Sequence, residues 1–183
     1  MIHRTLLALL LLATALAAPA SPIPTLTLTA ADLTGAPGQT VGWGFTLDNP
    51  GTSFDLYVTN VWADGSLGSG VLGTFTDAIA IWSLPNGLMV TAGGLYTGSF
   101  PATALATFAI DASAEPGDWV SGIIHLDYDL YQGQDFQRGG SVEAPATVSV
   151  VAAAPVPATA ALLALGLAGL AGRAWPRRGK RGA

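Results

Sequence analysis

Between residues 21 and 154 the apolar side chains of this chain recur at every second position. Val41, Trp43, Phe45 and Leu47 alternate with Gly42, Gly44, Thr46 and Asp48, and Leu26, Leu28 and Ala30 alternate with Thr25, Thr27 and Thr29. Ile124, Leu126, Tyr128 and Leu130 oppose His125, Asp127 and Asp129, while Val148 and Val150 oppose Thr147 and Ser149. A period of two sends successive side chains to opposite faces of a strand, so each run predicts a strand with one face in a core. Less regular runs at 55–62, 71–76, 78–82, 87–92 and 105–110 predict further strands. Turn chemistry separates them: Asp48-Asn49-Pro50-Gly51, Asp64-Gly65, Pro85-Asn86-Gly87, Gly93-Gly94, Pro116-Gly117 and Gly139-Gly140. No interior window carries a capped helical stripe. About seven to nine short strands at roughly 8–20-residue spacing predict an all-β fold, an antiparallel β-sandwich in preference to a closed barrel.

The two ends follow other patterns. His3 and Arg4 precede an apolar run from Leu6 to Leu12, and Ala15-Leu16-Ala17 or Ala18-Pro19-Ala20 supplies small residues for cleavage. That is the anatomy of a signal peptide over residues 1–20, and Pro19 and Pro22 stop the helix short of a membrane span. At the other end Pro155-Val156-Pro157 leads into an apolar run from Ala158 to Gly172. Arg173, Trp175, Arg177, Arg178, Lys180 and Arg181 follow. An apolar helix with a basic tail stops in a membrane with Arg173, Arg177, Arg178, Lys180 and Arg181 on the cytoplasmic side, because Lys and Arg resist translocation. The expected organisation is therefore a signal peptide (1–20), an exported β-sandwich (21–153) and a terminal segment with a transmembrane helix and basic tail (154–183).

Charge sharpens this division. All 12 acidic residues lie between Ser21 and Ala154, against one basic residue, Arg138, which leaves the exported part at a formal charge of −11. Such a surface repels nucleic acid and anionic lipid and favours solubility. No cysteine is present, so a domain in an oxidising compartment is stabilised here by packing alone.

Candidate chemistry is sparse. A Ser-His-Asp triad would have to use His125, yet no Gly-x-Ser-x-Gly elbow presents a serine. Gly65-Ser66-Leu67-Gly68-Ser69-Gly70 lacks the Lys and helix of a phosphate cradle and reads as a flexible loop. No carboxylate pair is singled out for glycoside hydrolysis. His125, Asp127 and Asp129 share a strand face and are the metal candidates, with calcium the ion to consider. Their spacing of about 7 Å makes a solvated strand face the simpler expectation. Asp127-x-Asp129 followed by Gly133 departs from a calcium loop at Tyr131 and Gln132, and no cofactor is expected. The aromatic side chains Trp43, Trp62, Trp82, Trp119, Tyr57, Tyr96, Tyr128 and Tyr131 open a carbohydrate-binding alternative. Trp43 falls on an apolar strand face and is assigned to the core, whereas Trp82 and Trp119 stand where a ring can face solvent.

The tail Pro155-Val156-Pro157-Ala158-Thr159, with the Leu/Ala/Gly-rich helix and basic cluster after it, resembles the sorting signal of PEP-CTERM proteins. The resemblance covers the last sixth of the chain and departs at Val156, where the commonest form has Glu. It implies an exported substrate of an exosortase-type sorting enzyme in a Gram-negative envelope. Such a protein is held transiently in the inner membrane, cleaved near residues 155–159, and left at the cell surface or outside the cell, with exopolysaccharide a further partner. The prolines keep the junction extended, as a processing enzyme requires. Gly38-Gln39-Thr40-Val41 leading to Phe45-Thr46-Leu47-Asp48-Asn49, and Ala114-Glu115-Pro116-Gly117-Asp118-Trp119, resemble strand entries of Ig-like domains of bacterial surface proteins. The function expected is that of a non-enzymatic surface or extracellular-matrix protein. Its alternatives are a carbohydrate-binding module and a calcium-stabilised adhesion domain.

Overall fold

The computed structural model describes residues 22–82 and 87–154, with the side chain of Trp82 left aside. The expected signal peptide (1–20), the sorting motif and the terminal apolar and basic segments lie outside the described residues. Among the described residues no helix is long and apolar enough to cross a membrane.

Among the described residues eleven strands carry the fold: β1 (Thr25–Leu28), β2 (Asp32–Gly35), β3 (Thr40–Trp43), β4 (Phe45–Asp48), β5 (Asp55–Ala63), β6 (Gly73–Asp77), β7 (Met89–Val90), β8 (Leu95–Gly98), β9 (Ala106–Ile110), β10 (Trp119–Gln132) and β11 (Asp135–Val150). One sheet has the order β2-β11-β10-β5-β7; two three-stranded sheets have the orders β1-β4-β8 and β3-β9-β6. The arrangement is sandwich-like, with one core drawn from all three sheets, including Trp43, Phe45, Leu47, Leu56, Phe108, Ile124 and Leu126.

The run from Val41 to Leu47, expected as one strand, is two. Its four apolar residues are all buried, but the partner changes at Gly44: β3 pairs with β9, and β4 with β1 and β8. Thr29 donates its N–H to the Gly44 carbonyl at 2.8 Å. A Cβ at Gly44 would stand 2.9 Å from Thr29 Oγ1, so the close passage of the β1 end requires glycine there.

β10 and β11 form a long hairpin closed at Gly133, whose φ is +64°. Gly139-Gly140, expected as a turn, lies inside β11 opposite Asp129 and Tyr128. A Cβ on Gly140 would approach the Tyr128 phenol oxygen to 2.6 Å, so the glycine leaves room for a buried ring rather than reversing the chain. Pro145 is also inside β11, opposite Ile123. Thr147, two residues on, donates its N–H to Ala31 on the side away from β10. The missing Pro145 N–H therefore falls on that same side, before pairing with β2 begins at Thr147, where no ladder bond is lost.

Three further expectations are corrected. β2 runs parallel to β11, with Thr147 opposite Asp32 and Val150 opposite Gly35, so the sheet is not wholly antiparallel. Gly65–Gly68 is a helical turn that buries Leu67 completely, instead of a flexible loop. Residues 79–82, expected within a strand, also form a helical turn, Ile79–Trp82, and the Asp77 carboxylate accepts the Ala80 N–H at 3.2 Å. A stretch of one helical turn is too short to display a 3.6-residue stripe, so nothing in the pattern distinguishes it from a short apolar strand.

Candidate functional site

The polar face of β10 is the place where the side chains with chemistry meet. His125, Asp127 and Asp129 do stand in a row along one side of the strand, and each faces a cross-strand neighbour on both flanks. His125 pairs with Trp62 and Glu143, Asp127 with Asn60 and Ser141, and Asp129 with Tyr57 and Gly139; Tyr131 follows, between Asp55 and Phe136.

Two register irregularities make this arrangement possible. In β5, Val58 pairs with Tyr128 and Asn60 with Asp127, leaving Thr59 as the extra residue of a bulge. Leu56 on one side of it and Val61 on the other both point into the core, although their positions differ in parity. The bulge thereby returns both Tyr57 and Trp62 to the outer face. In β11, Leu130 pairs with Arg138 and Tyr131 with Phe136, so Gln137 is the extra residue and Phe136 joins the outer face at its end.

The first cluster surrounds His125. Its ring lies against the Trp62 indole with centroids 3.9 Å apart and planes 7° from parallel. Nδ1 is 3.2 Å from Glu143 Oε1, and Nε2 is 3.4 Å from Asp64 Oδ2. Only 9% of the residue is exposed, and Nε2 is buried without a hydrogen bond. The expectation of a solvated strand face therefore fails at this position, because the indole replaces water over the imidazole. A general base must reach its substrate, and Nε2 is sealed from one. Asp127 is engaged as well, accepting from Trp62 Nε1 at 3.1 Å and Asn60 Nδ2 at 3.4 Å. Among the described residues no group of three His, Asp or Glu side chains stands close enough to hold a metal ion. The Asp127-x-Asp129…Gly133 segment is hairpin ladder and turn rather than a cation loop.

Asp64 links this cluster to the β5 end. Its carboxylate accepts the Ile123 N–H at 2.8 Å; that bond, with His125 nearby, holds its pKa below the ordinary carboxylate value against an opposing effect of desolvation. Asp77 is shifted the other way: burial raises its pKa, partly offset by backbone N–H groups. The signs separate on acidification. The lowered Asp64 group stabilises the fold above its unfolded pKa and loses that contribution as pH falls through its folded value. The raised Asp77 group costs stability at neutral pH and is relieved earlier, as pH falls through its folded value towards the ordinary carboxylate range. Asp64→Asn keeps an acceptor for Ile123 but no charge. Its melting temperature is expected below that of the wild type at about pH 7, with the gap closing only as pH falls below the ordinary carboxylate value of 3.8. Thermal melts across that range check this, and a pH-independent gap would refute a charge origin.

The second cluster is a groove at the far end of the row. Tyr57, Thr59, Asp129, Tyr131, Gly133 and Gln134 line a hollow of about 380 Å³. Tyr57 and Tyr131 meet edge to face at 5.2 Å and 79°, and Tyr131 meets Phe136 at 5.8 Å and 72°. Each ring is thus held by a neighbour in a favoured arrangement.

The tryptophans divide as follows. Trp43 is fully buried, as its strand face predicts, and Trp119 is 64% exposed. Trp119 lines a separate hollow with Val71, Leu72 and Asp118, whose carboxylate already accepts the Glu115 N–H at 2.8 Å. Trp62, marked by the sequence only as one of eight aromatic candidates for carbohydrate binding, is the ring that covers His125. Glu143 was hidden beside an apparent turn, and Tyr57 and Trp62 by the parity change at Thr59. The Asp64-Gly65 turn signal marked the position of Asp64 without revealing its role.

No family model and no curated protein matches this chain. Among solved structures it is similar to the ASH/PapD-like domain of human CEP192, with 12% identity and a TM-score of 0.41 over 75% of this chain and 93% of that one. It is also similar to the periplasmic chaperone SfaE, with 12% identity and a TM-score of 0.36 over 74% of this chain and 63% of that one.

Proposed function

We propose that the chain is an exported, non-enzymatic surface or extracellular-matrix protein with an Ig-like sandwich as its working part. A signal peptide over residues 1–20 starts its export. The segment 154–183 holds it transiently in the inner membrane of a Gram-negative cell. An exosortase-type enzyme then cleaves near Pro155-Val156-Pro157, leaving the domain with the envelope or exopolysaccharide.

The observation that carries this reading is the segregation of charge. All 12 acidic residues lie between Ser21 and Ala154, while every basic residue except Arg138 lies in one of the two terminal segments. A translocated acidic domain between an amino-terminal charge and a cytoplasmic basic tail is what positive-inside topology produces. The last strand ends at Val150 and residues 151–154 are exposed, which supports access to the motif that follows. The enclosed imidazole of His125 supports the non-enzymatic part of the reading.

The test is the carboxyl terminus of the protein recovered from the cell surface. Mass spectrometry is expected to find it near Pro155–Ala158, with no peptide from Trp175 onward. Recovery of the intact basic tail in the surface fraction would leave a plain membrane anchor instead.

A further inference from the structure

We propose that the groove between Tyr57 and Tyr131 is a binding subsite for a neutral saccharide, taking a pyranose unit against its rings and the sugar hydroxyls on its polar rim. The hollow of about 380 Å³ lies within the usual range of small-molecule sites, about 300–1,000 Å³. Its apolar part consists of aromatic rings, whose faces match the C–H face of a pyranose. Their orientations are set before any ligand arrives, because Tyr131 is held edge-on by both Tyr57 and Phe136.

The polar part fits hydroxyl groups. Asp129 supplies a carboxylate acceptor, Thr59 a hydroxyl, Gln134 an amide that both donates and accepts, and the two tyrosines supply phenols. Among the described residues none of these five side chains has a hydrogen-bond partner in the protein, in contrast to Asp127 in the row above, which accepts from Trp62 and Asn60. A ligand rich in hydroxyls occupies such groups, whereas a purely apolar one would leave them unpaired and desolvated.

Charge narrows the class. The groove holds one carboxylate and no cation, within an exported part of formal charge −11. Anionic sugars and phosphates are repelled, and neutral ones are not. The fold also supplies the groove deliberately: the bulge at Thr59 turns Tyr57 outward, and the bulge at Gln137 brings Phe136 opposite Tyr131. Two irregularities on the strands flanking β10 thus act at one end of one face, and bulges characteristically re-aim side chains beside binding sites. The hollow beside Trp119 lacks this set, since Val71 and Leu72 form its sides and its carboxylate is already engaged.

The test is native affinity electrophoresis of the intact chain, solubilised in a non-ionic detergent without sugar headgroups. The gels contain hydroxyethylcellulose, glucomannan, galactomannan, dextran or no polysaccharide. Retardation by at least one of the four is expected. Tyr57→Ala and Asp129→Ala are each expected to weaken retention by about fivefold or more, a loss matching one aromatic or hydrogen-bonded contact. Trp119→Ala, outside the groove, should leave it unchanged. Melting temperatures establish that each variant is folded, and Gln134→Ala in the exposed hairpin turn decides the matter if Tyr57→Ala is not. The proposal is overturned by mobility that none of the polysaccharides alters, or by retardation that survives the folded groove variants. A shift of tyrosine fluorescence by millimolar choline chloride, without any response to saccharide, would overturn it in favour of a cation–π site.

Discussion

Replacing Trp43 with alanine is expected to cost about 3–5 kcal/mol of stability, the range for removing a large buried aromatic side chain. The indole is fully buried, its ring lies 6.2 Å from that of Phe75, and Nε1 donates to the Ala31 carbonyl at 3.3 Å. Alanine leaves a void between the layers and removes one of two donors to the Ala31 carbonyl, which keeps the Thr147 N–H. Trp43→Phe tests the packing separately: it keeps most of the volume while losing the N–H and part of the ring, so about 1–2 kcal/mol is expected. Urea unfolding checks both variants, and a shifted midpoint at unchanged slope identifies the loss as one of native stability. A cost under about 1 kcal/mol for alanine would contradict the packing described here.

Asn49→Ala is expected to cost about 2–4 kcal/mol, although the residue was legible only as part of a turn. Asn49 is 2% exposed, and its Nδ2 lies within hydrogen-bonding distance of three carbonyls: Phe54 at 2.9 Å, Val90 at 3.1 Å and Thr91 at 3.2 Å. One side-chain amide therefore ties the end of β4 to the loop before β5 and to β7. Removing it takes a donor from the Phe54 and Val90 carbonyls, the second of these bonds fully buried, while the Thr91 carbonyl keeps the Gly94 N–H. Losing several bonds at once costs more than the mean value of one. Asn49→Asp retains the shape and reverses the chemistry, since an ionised carboxylate donates nothing and faces three carbonyl oxygens. It is expected to be at least as destabilising as alanine at neutral pH. Tolerance of both variants would mean that water reaches these carbonyls.

The proposed exported role and the proposed saccharide groove stand on separate observations. The first rests on charge segregation between the domain and its terminal segments, the second on rings and unpaired polar groups at one end of a sheet face. A protein processed as expected but inert towards neutral polysaccharides would retain the surface role and lose the groove. A protein retained by polysaccharide with its basic tail intact would keep the groove and lose the sorting step.

Period-two alternation by itself determined the strand character of 41–47 and 124–130 and which of their residues face the core. Every residue assigned inward there is buried, because a single core face constrains all of them at once. It also determined that His125, Asp127 and Asp129 share the opposite face. Only the tertiary structure decided what they meet there. The extra residue at Thr59 reverses parity within β5, so Tyr57 and Trp62 share a face that alternation denies them. Gly139, Gly140 and Pro145 carry turn and breaker chemistry, yet a strand runs through them. Tyr128 fills the space over Gly140, and the Pro145 nitrogen lies on an unpaired side. The pairing of β2 with β11 joins residues about a hundred positions apart, beyond any local pattern. Side-chain direction is a local property of the backbone and can be read along the chain; partnership between strands is set by burial of the whole core and cannot.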